Sequence, residues 1–188
     1  MSVPKSEGET GTAKVTTVGA DGTSVTVTNR YRVTSEAYAA NPGATPTVAF
    51  TGTSAKSGRV SVPASVTLAD GVTYKVTSLA AGAFKGKKVT GVELPSSVTT
   101  IGKQAFASTP KLKSLVLDKR IKSVDKQALK GSAAKTVTLK TSKLSKSSIK
   151  NLLDGAKLTT VKCTGVSKKA KANYKKWVQL YKKGVKFK

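Results

Sequence analysis

Apolar residues fall along this chain in two rhythms. The first is a strict alternation in short runs, over Ala13–Val18, Ser24–Thr28, Arg30–Ser35, Thr47–Thr51 and Arg59–Val62. A period of two places every second side chain on one face, so each run predicts a half-buried strand. Asp21-Gly22 and Asp70-Gly71 predict hairpin turns between runs, the second joining Val66-Thr67-Leu68 to Val72–Val76, and the stretch 39–46 predicts an exposed loop. The second rhythm begins at Val76. Cutting the chain at Val76, Val98, Ile121, Leu144 and Val166 yields pieces of 22, 23, 23, 22 and 23 residues whose apolar positions coincide. Val76, Val98, Ile121 and Leu144 open the units, and Leu79, Ile101 and Val124 follow three residues later. Ala83-Phe84 returns as Ala105-Phe106 and Ala128-Leu129, and Leu152 takes the Phe place in the fourth unit. Val89, Leu112, Ala134 and Leu158 form the next column. Each unit then closes on two inward strand positions: Val92 and Leu94, Leu115 and Leu117, Val137 and Leu139, Val161 and Cys163.

One such unit cannot bury its own apolar edge, but stacked units share a continuous core. The expected fold is therefore mainly β with short helices, a solenoid of about five 22–23-residue units. In the fourth unit, Ile149, Leu152 and Leu153 stand at helical spacing before Gly155. In the fifth, Ser167 N-caps a helix reaching to about Lys183, with Ala170, Tyr174, Trp177, Val178 and Tyr181 on one face. That face reads as core packing, with stacking of bases or sugars as the alternative, and the helix as a basic C-terminal cap. Four segments follow: 1–12, polar and disordered; 13–75, an antiparallel β cap; 76–165, the repeats; 166–188, the capping unit.

Charge divides the chain differently. Residues 1–70 carry a net +1, whereas residues 71–188 hold 28 basic residues and four acids, Glu93, Asp118, Asp125 and Asp154. A surface this basic attracts polyanions at low salt. Of the 34 basic residues 30 are Lys, a hydrated point charge suited equally to a solvated coat. Both readings stay open for the helix lysines Lys168, Lys169, Lys171, Lys175, Lys176, Lys182 and Lys183. No helix-turn-helix, zinc-finger or RNA-binding signature accompanies them.

Histidine is absent, which removes Ser-His-Asp and Cys-His catalysis and His metal ligation together. The single cysteine, Cys163, sits in a valine-rich strand pattern as a small core hydrophobe. No phosphate-binding glycine loop, metal cluster or spaced carboxylate pair is present in the sequence, so no enzyme, cofactor, metal or catalytic residue is expected. No run approaches the ~20 apolar residues of a membrane span. The opening Met1–Ser6 lacks the apolar core of a signal peptide, so for an exported protein this chain is expected to start after the cleavage point.

Gly71–Leu79, Gly82-Ala83-Phe84, Val92–Gly102 and Ala105-Phe106 resemble the BspA-type leucine-rich repeats of bacterial cell surfaces. The resemblance covers roughly residues 58–165, with lead-in strands around Tyr31–Ser35 and Val48–Gly52 and a basic closing unit. Leu129 in place of Phe, and the helical fourth unit, depart from the pattern. The resemblance implies a secreted or wall-associated protein with adhesive or protein-binding roles, and transfers no ligand and no catalytic residues. The outward strand positions Glu93, Val116, Thr138 and Lys162 would then form a ligand-facing ladder for a protein or glycan, or simply a solvated strand face. The expectation is a non-enzymatic, monomeric binding module, and the alternative is a polyanion binder for nucleic acid, teichoic acid or sulfated glycan.

Overall fold

The alternating runs fold as strands, and the longer rhythm becomes parallel pairing between successive turns of chain. The computed structural model describes residues 6–18, 24–35 and 45–188, a mainly β protein with two helices among those residues. The Asp21-Gly22 turn and most of the 39–46 loop lie outside them.

The first sheet starts with β1 (Thr10–Val18), β2 (Ser24–Ser35) and β3 (Thr47–Thr53), paired antiparallel. It continues in parallel through β6 (Thr73–Leu79), β8 (Thr100–Ile101) and β10 (Ser123–Val124). Strand β5 (Ser65–Thr67) folds back antiparallel on β6 through the expected Asp70-Gly71 turn, where the Val72 N–H donates to Asp70 Oδ1 at 2.9 Å. A parallel pair, β4 (Ser57–Ser61) with β7 (Lys88–Glu93), forms on another side of the chain path. Beyond it β9 (Ser114–Leu117), β11 (Thr136–Leu139), β12 (Thr160–Cys163) and β13 (Lys186–Phe187) make a wholly parallel sheet. The helices are α1 (Lys146–Leu153) and α2 (Lys168–Tyr181).

Some boundaries differ from the sequence expectation. Thr10 to Thr12, assigned to the polar start, pair with Arg32 to Arg30 in β1. Strand β2 runs unbroken through Asn29, because that side chain is buried rather than turned to solvent. Parallel pairing also begins upstream of Val76. Thr47 faces Lys75 and Ser57 faces Lys88, sequence separations of 28 and 31 residues that a search at 22–23 passes over. Strand β13 was not foreseen, since two residues hold no period.

Between the sheets each of the first three units reverses direction through two left-handed residues. Gly82, Gln104 and Gln127 share one such position (φ 67°, 55°, 59°), and Gly86, Ser108 and Gly131 share the other (φ 71°, 53°, 66°). Holding Gln and Ser there has a cost that the neighbouring turns offset through backbone bonds. Phe84 N–H donates to Ala105 O at 2.7 Å, Phe106 N–H to Ala128 O at 2.8 Å, and Ser108 N–H to Lys130 O at 2.8 Å. The Gln104 side chain extends the ladder by donating to Gln127 Oε1 at 2.9 Å.

Inside this corner runs an aromatic column. Phe50 stacks on Phe84 (centroids 5.2 Å) and Phe84 on Phe106 (5.4 Å, 2° between planes), all fully buried. Leu129, also fully buried, takes the same place in the third unit. Below it lies α1, capped by Ser145 and followed by left-handed Gly155 as its spacing predicts. Ser148 Oγ accepts from Val124 N–H and Asn151 donates to Val124 O, so α1 occupies the free edge of β10. Helix α2 docks through buried Ala170, Tyr174 and Val178. The Tyr174 hydroxyl accepts from Leu144 N–H and donates to Thr141 O, both at 3.0 Å. Of the aromatic stripe, Tyr174 is core, and Trp177 and Tyr181 are half-buried against it.

Phe106→Ala removes the end of the aromatic column and is expected to cost about 3–5 kcal/mol. Phe106→Leu is expected to cost no more than about 1.5 kcal/mol, since Leu already fills the equivalent site one turn on. Urea unfolding followed by far-UV circular dichroism measures both, and equal losses would contradict the stacked column.

Candidate functional site

Parallel register determines which outward residues become neighbours. In the β9–β11–β12 sheet, Leu115, Val137 and Val161 point inward and are buried, so the residues between them face solvent. Val116 pairs directly with Thr138, and Thr138 with Lys162, placing three of the four expected ladder residues side by side. A second outward row, Ser114, Thr136, Thr160 and Lys186, runs beside it.

Glu93 belongs to a neighbouring strand but not to the same ladder. It lies on β7, opposite Ser61 of β4, and no strand pairing joins β7 to β9 among the described residues. At this seam the second unit carries one residue more than the first, with Phe106 to Leu112 answering Phe84 to Val89 and Pro110 inside the longer segment. The seam is an open cleft of about 320 Å³, lined by Arg59, Gly91, Glu93, Val116, Asp118 and Lys140 among others. Two of the four acids in residues 71–188 therefore gather here, opposed by two cations. Arg59 Nη1 meets Glu93 Oε1 at 2.8 Å, the one ion pair among the described residues. Its partners are 73% and 56% exposed, so it orients the two side chains more than it stabilises the fold. Val116, 41% exposed, supplies an apolar surface beside these charges. Arg59, Asp118 and Lys140 were not singled out from sequence, because each follows or precedes the periodic strand positions and only the fold brings them together.

The basic helix divides its lysines. Lys168, Lys171 and Lys175, at spacings of three and four, lie on one stripe of α2 and line a cleft with Phe187 and Lys188. Lys169 and Lys176, seven residues apart, share a stripe about 100° round the helix, and Lys183 lies in the turn beyond its end. Lys182 is engaged elsewhere, donating to the Ala156 carbonyl.

Cys163 closes β12 with its thiol half-buried. Burial pushes its pKa up from 9.0 to about 11, and the nearby Lys171 charge offsets only part of this. The group is a protonated thiol at neutral pH and not an activated nucleophile. No group of three or more His, Cys, Asp and Glu side chains able to hold a metal occurs among the described residues, and no helix among them is long and apolar enough to cross a membrane.

The model of the BspA type leucine rich repeat region matches residues 72–173 in six copies, more than half of the chain. This protein belongs to the BspA-type leucine-rich repeat family. The fold is similar to that of a leucine-rich repeat protein from Bacteroides capillosus ATCC 29799, with 25% identity and a TM-score of 0.57 over 73% of this chain and 94% of that one. It is also similar to a leucine-rich repeat protein from Bacteroides ovatus ATCC 8483, with 22% identity and a TM-score of 0.50 over 73% of this chain and 35% of that one. No curated protein sequence matches it.

The raised thiol pKa carries a sign for stability. Between pH 9 and 11 the native state keeps a proton that the unfolded chain has lost, so stability contributed below pH 9 is withdrawn as pH rises towards 11. The urea midpoint of the protein is expected to fall further between pH 8.5 and 10.5 than that of Cys163→Val, which cannot titrate. Lysine discharge affects both proteins alike, and parallel curves would contradict the burial of this thiol.

Proposed function

We propose that this protein is a non-enzymatic binding module of a bacterial cell surface, monomeric, that holds an extended segment of a protein or glycan ligand on the outward face of its parallel sheet. In this reading the repeats form a solenoid of about five units, sealed by the N-terminal strands and by α2. The ligand lies across Val116, Thr138 and Lys162 and enters the cleft beside Glu93.

The observation that carries the reading is the open seam between β7 and β9. An open sheet presents backbone donors and acceptors along its edge strands, and β9 is such an edge beside the exposed Val116. Val116 contributes the apolar contact, while Arg59, Glu93, Asp118 and Lys140 present both signs of charge within reach of one ligand. Mixed charge around a small apolar centre selects among ligands more than it adds raw affinity. Family membership supports the module and its surface location. The absence of histidine from the sequence and the protonated state of Cys163 favour binding over catalysis.

Panning a random peptide display library against the protein tests this reading. Peptides recovered by the wild type are expected to lose at least tenfold in affinity for Val116→Glu and for Asp118→Lys, while binding Lys176→Glu on the far side of α2 unchanged. A peptide set indifferent to both seam substitutions would place the binding surface elsewhere.

A further inference from the structure

A second cleft lies at the opposite end of the parallel sheet, where α2 crosses the last strand. It is a shallow, open depression of about 480 Å³, lined by Lys168, Lys171, Ala172, Lys175, Phe187 and Lys188. The four lysines are exposed, and none forms an ion pair among the described residues. Phe187 is half-buried against the core and lines the same cleft as an apolar side chain.

Two features make this more than a solvated coat. The first is convergence. Lys168, Lys171 and Lys175 come from one stripe of the helix, and Lys188 comes from the chain end beside β13, so the pairing of β13 with β12 brings a fourth cation to the helix. The second is placement along the helix. Lys168, Lys169 and Lys171 occupy the first turn of α2 with no acid among them, and no basic residue lies in its last turn. Cations at a helix N-terminus oppose the macrodipole, and the same charges would be better placed at the other end for stability alone. Like charges converging on one cleft add to that cost, and a bound anion would relieve both.

We propose that this cleft is a binding site for a flexible linear polyanion carrying sulfate or phosphate esters, laid along α2 with successive oxyanions on Lys168, Lys171 and Lys175 and continuing over Lys188. The site is distinct from the β7–β9 seam and does not depend on it. Its chemistry favours a flexible polymer over nucleic acid. None of the four arginines, Arg30, Arg32, Arg59 and Arg120, lines the cleft, so bidentate reading of base edges is absent. A single half-buried Phe187 offers no platform on which successive bases could stack. The axial rise between Lys168 and Lys175 is about 10 Å, a length over which a flexible chain can adjust its charges to the lysines.

Two triple variants of equal charge test the proposal. Lys168→Gln with Lys171→Gln and Lys175→Gln empties the cleft stripe, while Lys169→Gln with Lys176→Gln and Lys183→Gln removes the same charge from lysines that do not line the cleft. Gln preserves helix propensity, and circular dichroism with a urea midpoint verifies that each variant folds. Binding is measured to heparin, to inorganic polyphosphate and to duplex DNA over a salt series spanning about 0.15 M. The cleft variant is expected to lose tenfold or more in affinity, with a salt slope shallower by about two, while the control variant stays within about twofold of the wild type. Preference for heparin assigns a sulfated glycan, and preference for polyphosphate a phosphate polymer. Equal weakening by both variants would reduce the site to diffuse charge and overturn the proposal. So would duplex DNA held as tightly as the two flexible polymers, or no binding to either polymer at 0.15 M by the wild type. Val116→Glu is expected to leave all three affinities unchanged, which separates failure here from failure at the seam.

Discussion

The constraint on which everything else rests is that no turn of this chain can satisfy its own backbone. Strands two to four residues long, such as β8, β10 and β9, hold no hydrogen bonds within themselves. Strand β8 gains its partners from β6 before it and β10 after it, β9 from β11, and the corners at Gly82 and Gln104 donate to the next turn. Because the pairing is parallel and nearly in register, equivalent residues fall into columns. The Phe column, the Gln bonds and the outward Val116–Thr138–Lys162 row are consequences of that register. Outward face and core are two sides of the same strands, and a displacement of one residue would exchange them.

The charge of residues 71–188 is tolerated because the fold keeps it outside. Buried positions there are taken by Val, Leu, Ile, Ala and aromatic residues, with Thr109, Ser132, Thr141 and Ser148 as the buried polar groups. Those hydroxyls have partners: Thr109 donates to Ser132 Oγ at 2.8 Å, and Thr141 donates to Ile121 O at 2.7 Å. The lysines are left to solvent or to a partner. What distinguishes the seam from the rest of this surface is the pair Glu93 and Asp118, and what distinguishes the α2 cleft is the meeting of two elements rather than the number of lysines on one.

Much of the fold was legible in the sequence because its apolar columns repeat at a nearly constant interval. The inward pairs Leu115 with Leu117 and Val137 with Leu139, both helices and the Asp70-Gly71 turn follow from spacing and turn chemistry, and the family from the resemblance of its repeat motifs. The expected inward pair Val92 and Leu94, by contrast, is only half-buried, with Leu94 past the end of β7. The first parallel turn escaped because Thr47–Lys75 and Ser57–Lys88 are separated by more than one repeat length. The site was legible only in part. Val116, Thr138 and Lys162 share a register position that can be counted, but Glu93 falls beyond the seam, and the break comes from pairing geometry rather than composition. Likewise Phe187 and Lys188 carry no periodic signal, so their meeting with Lys168, Lys171 and Lys175 could not be read from the helix alone.

The hydroxyl of Tyr174 bridges Thr141 and Leu144, some thirty residues earlier in the chain. Synthesis proceeds from the N-terminus, so the earlier turns can stack as they emerge, each on a finished neighbour. The turn at Thr141–Leu144 cannot be completed in that way. Its carbonyl and amide wait for a side chain that leaves the ribosome much later, and the apolar layer beneath α2 stays open until then. Closing this turn is thus a step made backward along the chain, by a side chain about thirty residues downstream of the groups it satisfies.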